Sequence, residues 1–355
     1  MLAELNLEKR LILRSSPHAL SKEQVPSVMW TVVAALAPAS LAACWFFGLR
    51  ALLVIIGATL ACVVFEYLLL RTRVDAKKAM LISLDGSAVV TGILLALNLP
   101  ATSPWWMVVI GALIAMLLGK HLFGGLGQNI FNPALVARVF LLLAFPAEMT
   151  TWLYPKSGAQ FAQLPNLAAE NLDAVTGATP LGMIKADGLQ AFLDWANQTG
   201  TSLWSMLWGN TGGSLGETSA LLLLIGAGLL FWRGYISWHT PVSYIATVFV
   251  LTGIMWLVNP QYYANPVLHI LSAGLFLGAF FMATDMVTSP VSAKGMIIFG
   301  IGCGLITAVI RLFGAFPEGV SFAILIMNGL TPLIDRYTKP RKFGAETLKR
   351  GEASA

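Results

Sequence analysis

The sequence predicts an all-α polytopic membrane protein of about ten transmembrane helices, arranged as two five-helix halves of inverted orientation with one long external loop between them. Three observations lead there: long apolar runs recur from end to end, charge is scarce, and the basic residues are unevenly distributed about those runs. Of 355 residues, 57% are hydrophobic and 11% charged, and the mean hydropathy is +0.76. A water-soluble domain of this length needs a charged surface, and runs such as 29–49 or 51–70 have no soluble core wide enough to hide them. In a bilayer the same runs become helices that satisfy their own backbone hydrogen bonds.

Residues 1–26 form a charged leader (Glu4, Lys9, Arg10, Arg14, Lys22) with an amphipathic start at Leu2, Leu5, Leu7 and Leu11. It reads as a cytoplasmic segment lying on the membrane surface, not as a signal peptide. The first membrane half, 27–145, holds spans near 27–47, 51–70, 86–99, 104–122 and 130–145. The second, 217–337, holds spans near 217–234, 242–259, 266–283, 296–311 and 320–337. The segments 86–99, 130–145 and 296–311 are short and edged by Gly, Pro or Asn, which predicts broken or short helices buried among neighbours. Between the halves lies the loop 146–216, and a basic tail, 338–355, closes the chain. The motif 131–135 (Phe-Asn-Pro-Ala-Leu) and the motif 327–332 (Met-Asn-Gly-Leu-Thr-Pro), each read as opening the last span of its half, hint at an inverted repeat.

Orientation follows from Lys and Arg. With the N-terminus inside, seventeen of the 22 basic residues fall in cytoplasmic segments, Arg50, Lys156, Lys185 and Arg311 fall outside, and Arg138 sits within a span. The positive-inside rule therefore places both termini in the cytoplasm and the loop 146–216 outside, in a bacterial reading the periplasm of an inner-membrane protein. Cys44, Cys62 and Cys303 each stand alone in an apolar run, which predicts packing residues, neither disulfides nor an iron–sulfur site within this chain. No metal site, nicotinamide fingerprint or catalytic residue is predicted, and membrane lipid, not nucleic acid, is the expected surroundings.

The external loop carries Asp173-Ala174-Val175-Thr176-Gly177-Ala178-Thr179. The pattern Asp-x-x-Thr-Gly-Ala-Thr resembles the acceptor motif of a periplasmic flavin transferase, which esterifies a threonine hydroxyl with the phosphate of FMN. By that resemblance Thr179 is the modified residue, and Asp173, Thr176, Gly177 and Ala178 complete the attachment motif. The chemistry is coherent: a hydroxyl nucleophile, small neighbours that admit an enzyme's active site, and an upstream acid. Pro180 follows at once and predicts an extended Thr179 with its side chain presented outward.

Two further segments are expected on the cytoplasmic face. Residues 119–134 hold Gly124, Gly125, Gly127, Asn129, Asn132 and Pro133, and residues 281–295 hold Thr284, Asp285, Thr288, Ser289 and Ser292. The first reads either as a tight helix connection or as the lining of a ligand site, the second first as helix caps and otherwise as ligand lining. Among the intramembrane ionisable groups, Glu66 is expected to snorkel or to pair with Arg71 or Arg73. Arg138 needs an anion or a carbonyl cluster, and His269 reads as a hydrogen-bonded packing residue. Trp105, Trp106, Trp204, Trp208 and Trp256 fit an external interfacial belt.

These segments, together with 216–221 (Gly-Glu-Thr-Ser-Ala-Leu) and 316–323 (Phe-Pro-Glu-Gly-Val-Ser-Phe-Ala), resemble the family of ion-translocating oxidoreductase membrane subunits that contains the D subunit of the Rnf electron-transport complex (RnfD) and the B subunit of the Na⁺-translocating NADH:quinone reductase (NqrB). The short leader is nearer the Rnf branch. The resemblance implies a flavin-carrying subunit of a translocase, not catalytic alone, that moves electrons between ferredoxin and NAD in a complex with the Rnf A, B, C, E and G subunits. It implies covalent FMN at Thr179 exchanging electrons with the FMN of the periplasmic G subunit. It also implies a noncovalent riboflavin toward the cytoplasm, assigned here to Asn129, Asn132 and Asp285. The alternatives are a urea- or ammonium-type channel, which has no use for the acceptor motif, or a membrane scaffold without redox function whose flavin is vestigial.

Overall fold

The computed structural model describes residues 24–153, 179–199, 201–209, 211–217, 219–272, 274–314, 316 and 318–339. Helix α1 (Val25–Phe47) starts with Pro26 in its first turn, where the missing N–H costs nothing, and ends at Gly48 with φ 69°. That glycine turns the chain into α2 (Leu49–Arg71). Next come α3 (Ala76–Ser83) and α4 (Ser87–Leu97), bent by 47° at a break that Gly86 permits with φ 93°. Helix α5 (Trp105–Ile114) runs on as a π-helical turn, Ala115–His121. The glycine-rich connection that follows has Gly124, Gly125 and Gly127 all at positive φ. Asn132 then caps α6 (Pro133–Ala144), its Oδ1 accepting from the N–H groups of Ala134 and Leu135.

The segment between the two halves contains α7 (Pro146–Met149), α8 (Pro180–Thr199, kinked at Gly188) and α9 (Leu203–Trp208). The second half comprises α10 (Ala220–Trp232), α11 (His239–Val258), α12 (Pro266–Leu271), α13 (Leu275–Leu277) with a π-helical continuation Gly278–Met282, α14 (Ala293–Phe313) and α15 (Val320–Tyr337). The protein is thus all-α and polytopic. Four helices, α1, α2, α11 and α14, are long and apolar enough to cross a membrane, and the bent pair α3/α4 makes a fifth. Three further apolar helices, Trp105–His121, Pro133–Ala144 and Ala220–Trp232, are shorter.

Two expectations about span length are corrected. Segment 296–311 is not short: Ser292 caps α14 by accepting from the N–H of Gly295 at 3.0 Å, so the helix extends beyond the apolar window to 21 residues. Conversely, the apolar segment 266–283 is interrupted after Leu271 and restarts at Gly274, whose φ is 63°. Hydropathy averaged over a window does not register one left-handed glycine.

Helix contacts repeat between the halves. In each, the second helix packs along the fourth (α2 on α5, α11 on α14) and along the third (α2 on α4, α11 on α12), the first meets the third (α1 on α4, α10 on α13), and the fourth meets the fifth (α5 on α6, α14 on α15). The halves join through their first helices, α1 on α10, and their last, α6 on α15. A buried cation at the end of each fourth helix reaches the break in the third. Lys120 donates to Ser87 Oγ at 2.7 Å, just past the α3/α4 break, and Arg311 donates to the carbonyls of His269 and Ser272 at the α12/α13 break. The motif pair that first suggested the repeat does not superimpose on it. Asn132 caps α6, whereas Asn328 lies mid-helix in α15 with its side-chain amide 3.2 Å from the backbone N of Asn132, which it accepts from once the amide is flipped to satisfy its neighbours. The two asparagines are contact partners across the seam between the halves.

Candidate functional site

Thr179 is the last residue before α8, and its local chemistry decides where its hydroxyl goes. The first N–H groups of a helix have no internal partner. Thr179 Oγ1 accepts from the N–H of Gly182 at 3.0 Å, its carbonyl accepts from Met183 at 2.8 Å, and the residue is 3% exposed. The expectation of an outward-facing side chain is therefore corrected: N-capping draws the hydroxyl inward. Gly182 is needed there, because a Cβ would stand 2.8 Å from Thr179 Oγ1.

Two devices seat α8 on the membrane half. Leu181, Phe192 and Ala196 bury against Met206 of α9, Leu268 of α12 and Ala264 just before α12. Lys185 Nζ donates to the carbonyls of Ile310 (3.1 Å), Arg311 (3.3 Å) and Phe316 (2.8 Å) at the C-terminal end of α14, where a cation also complements the helix dipole. Burial pulls the Lys185 ammonium below the ordinary lysine range.

Beneath Thr179 lies a cavity of about 200 Å³, bounded by Thr179 and Gly182, by Met149, Thr150 and Trp152, by Phe316 and by the ion pair of Arg138 and Glu318. Arg138, mid-way along α6, finds the anion it requires. Its Nη2 donates to Glu318 Oε2, and Glu217 Oε1 stands at 3.8 Å. Its Nη1 donates to Asn98 Oδ1 (2.8 Å) and Ser321 Oγ (3.0 Å). One guanidinium faces two carboxylates, and among the described residues Glu217 Oε1 and Glu318 Oε1 have no hydrogen-bond partner. Both acids fall in motifs that the sequence singles out, 216–221 and 316–323. Their pairing with Arg138 has no sequence signal beyond the rule that an intramembrane charge needs a counter-charge.

Asp173, Thr176, Gly177 and Ala178 lie outside the described residues. Asn129, Asn132 and Asp285 do come together: all three line a second cavity, of about 110 Å³, with Lys120 and Phe281. Two of them already have local duties. Asn132 caps α6, and Asp285 accepts from Thr288 Oγ1 (3.1 Å) and the N–H of Val287 (3.5 Å). Asn129 Oδ1 has no partner among the described residues. Glu66 departs from expectation. It pairs with neither Arg71 nor Arg73 but with Lys120, at 2.6 and 2.9 Å, both residues being at most 2% exposed. His269 is buried, its Nδ1 has no partner among the described residues, and its carbonyl serves Arg311. The three cysteines are buried and free, as packing residues would be. No group of three or more metal-ligating side chains occurs among the described residues.

The family profile described as NQR2, RnfD, RnfE matches residues 12–344. The chain belongs to this family. Among its relatives, the D subunit of the "Proton-translocating ferredoxin:NAD(+) oxidoreductase complex" of Clostridium ljungdahlii is 44% identical over 97% of this chain and 99% of its own length. The D subunit of the "Na(+)-translocating ferredoxin:NAD(+) oxidoreductase complex" of Acetobacterium woodii is 44% identical over 98% and 99%. The D subunit of the "Ion-translocating oxidoreductase complex" of Halorhodospira halophila is 40% identical over 94% and 96%. In this NQR2, RnfD, RnfE member, the loop threonine and the intramembrane Arg138 share one cavity.

Proposed function

We propose that the chain is the flavin-carrying membrane subunit of an ion-translocating ferredoxin:NAD oxidoreductase in a bacterial inner membrane, with FMN esterified to Thr179 on the periplasmic side. The observation that carries this is the position of Thr179 Oγ1: the last residue of the acceptor motif opens into a cavity with aromatic walls and a buried cation. The near full-length likeness to the D subunits of such complexes supports the setting. FMN, when bound, supplies the reversible electron uptake that no side chain here provides.

The chain's own residues would hold and shield it. Met149, Trp152 and Phe316 offer apolar walls that exclude water, and Thr150 and Arg138 offer donors. At about 200 Å³ the cavity is smaller than the roughly 300 Å³ at which small-molecule sites begin. A cavity of that size would hold only part of the nucleotide, with Thr179, Thr150 and Arg138 as its polar lining. Esterification leaves Thr179 Oγ1 with a lone pair, so its bond from the Gly182 N–H survives attachment. Since that oxygen is buried when α8 is seated, a periplasmic transferase acts before α8 docks. A riboflavin toward the cytoplasm would meet Asn129, Asn132 and Asp285, which line the second cavity of about 110 Å³.

The test is direct. Wild-type chain and Thr179→Ala are expressed with the flavin transferase, denatured on a gel and viewed under ultraviolet light. A fluorescent band is expected in the wild type only. Fluorescence in Thr179→Ala would refute the site, and a dark band in both would refute the flavin.

A further inference from the structure

A third cavity, of about 310 Å³, lies between α8, the connection from α11 to α12 and the C-terminal end of α14. It reaches the roughly 300 Å³ at which small-molecule sites begin. Lys185 and Arg311 both line it, and no Asp or Glu does. The Lys185 ammonium donates to the carbonyls of Ile310, Arg311 and Phe316 and forms no ion pair among the described residues, so its charge is held in place without being neutralised. Arg311 is fixed in a similar way, on the carbonyls of His269 and Ser272. His269, in the same wall, is 5% exposed, and its Nδ1 has no partner among the described residues. Gln261 and Tyr263 add neutral donors from the connection between α11 and α12.

The surroundings of this cavity are apolar. Leu257 and Val258, which end α11 just before Gln261, and Phe313, which follows Leu312 of the wall, are all exposed. Both α11 and α14 are long and apolar enough to cross a membrane, so their ends fall where headgroups meet acyl chains. We propose that the cavity binds the phosphate of an anionic phospholipid. Lys185 and Arg311 supply the positive field, Gln261, Tyr263 and His269 supply donors, and the acyl chains lie against Leu257, Val258 and Phe313. A phosphodiester brings the negative charge that this wall lacks, and its oxygens accept from donors on several sides. Inorganic phosphate offers the same charge without the apolar part, which leaves the exposed side chains uncovered. Thr179 does not line this cavity, and the site needs no flavin there. A lipid held in it bridges α8 to the ends of α11 and α14 and adds to the seating of α8.

The experiment is native mass spectrometry of the full chain, purified in detergent and offered dioleoylphosphatidylglycerol or dioleoylphosphatidylcholine, each with and without inorganic phosphate at the same concentration. The chain is expected to retain phosphatidylglycerol with about tenfold or more the affinity of phosphatidylcholine, the scale of one hydrogen bond to a charged group. Inorganic phosphate is expected to leave that retention unchanged. Equal retention of the two lipids overturns the proposal, and displacement by inorganic phosphate assigns the cavity to a free anion and overturns the lipid. Lys185→Gln is expected to lose the retained lipid, whereas Lys294→Gln, at an exposed lysine by the far end of α14, is expected to keep it. Because Lys185 also seats α8, the second variant is Tyr263→Phe, which leaves that contact in place and should weaken retention by about tenfold. Equal loss in Lys294→Gln means adsorption to any basic surface and overturns the proposal. Undiminished retention in both Lys185→Gln and Tyr263→Phe overturns it as well.

Discussion

Buried charges survive in a membrane protein only with partners, and the two acid–base clusters here differ in how far the sequence announces them. Arg138 lies mid-span, so its need for an anion is legible. Lys120 looks like a loop residue and Glu66 like a helix-end carboxylate, yet they form an ion pair with Nζ 2.6 Å from Oε1, joined by Ser87. Removing one partner of such a pair strands a buried charge at a cost of about 3–5 kcal/mol, whereas replacing both with apolar side chains is near neutral. Lys120→Met should therefore lower the thermal midpoint of the purified complex sharply, and the double variant with Glu66→Met should recover most of it. Thr179 carries a smaller structural load. Thr179→Ala should cost α8 about 1 kcal/mol through the lost cap, while Thr179→Ser keeps it, as hydrogen exchange across 180–199 would report.

Helix seams are set by where a side chain is forbidden. On α14, a Cβ at Gly300 would fall 2.7 Å from the Thr240 carbonyl of α11, and one at Gly304 2.9 Å from the Tyr244 carbonyl. These two glycines, four residues apart, let α11 and α14 come close, as small residues at this spacing do in membranes. Gly228 on α10 faces open space. Gly300→Ala should destabilise by roughly 1–3 kcal/mol through overpacking, and Gly228→Ala should be neutral or stabilising by up to about 1 kcal/mol through helix propensity. Thermal unfolding in detergent compares the pair. Helix α8 is held differently, by Lys185 on the carbonyl end of α14. Lys185→Met should leave the membrane half intact while making 180–199 more open to limited proteolysis.

At the scale of the whole molecule, the inside–outside arrangement rests on the count of basic residues. A membrane-impermeant maleimide should label Ser157→Cys in intact spheroplasts and Ser354→Cys only after permeabilisation. The three native cysteines, all buried, provide a low background. Labelling of Ser354→Cys from outside would reverse the topology. The sequence by itself determined the all-α membrane class and the family, and it supplied the motif from which attachment at Thr179 is proposed. Each of these depends on patterns read along the chain: apolar run length, capping residues, summed charge, a heptapeptide. Only the tertiary structure decided that Thr179 turns inward, that its cavity is shared with Arg138, and that Glu318, 180 residues further along, supplies the counter-charge. The physical reason is that a buried ion takes whichever opposite charge helix packing brings within hydrogen-bonding reach, and α6 meets α15 only when the two halves close on each other.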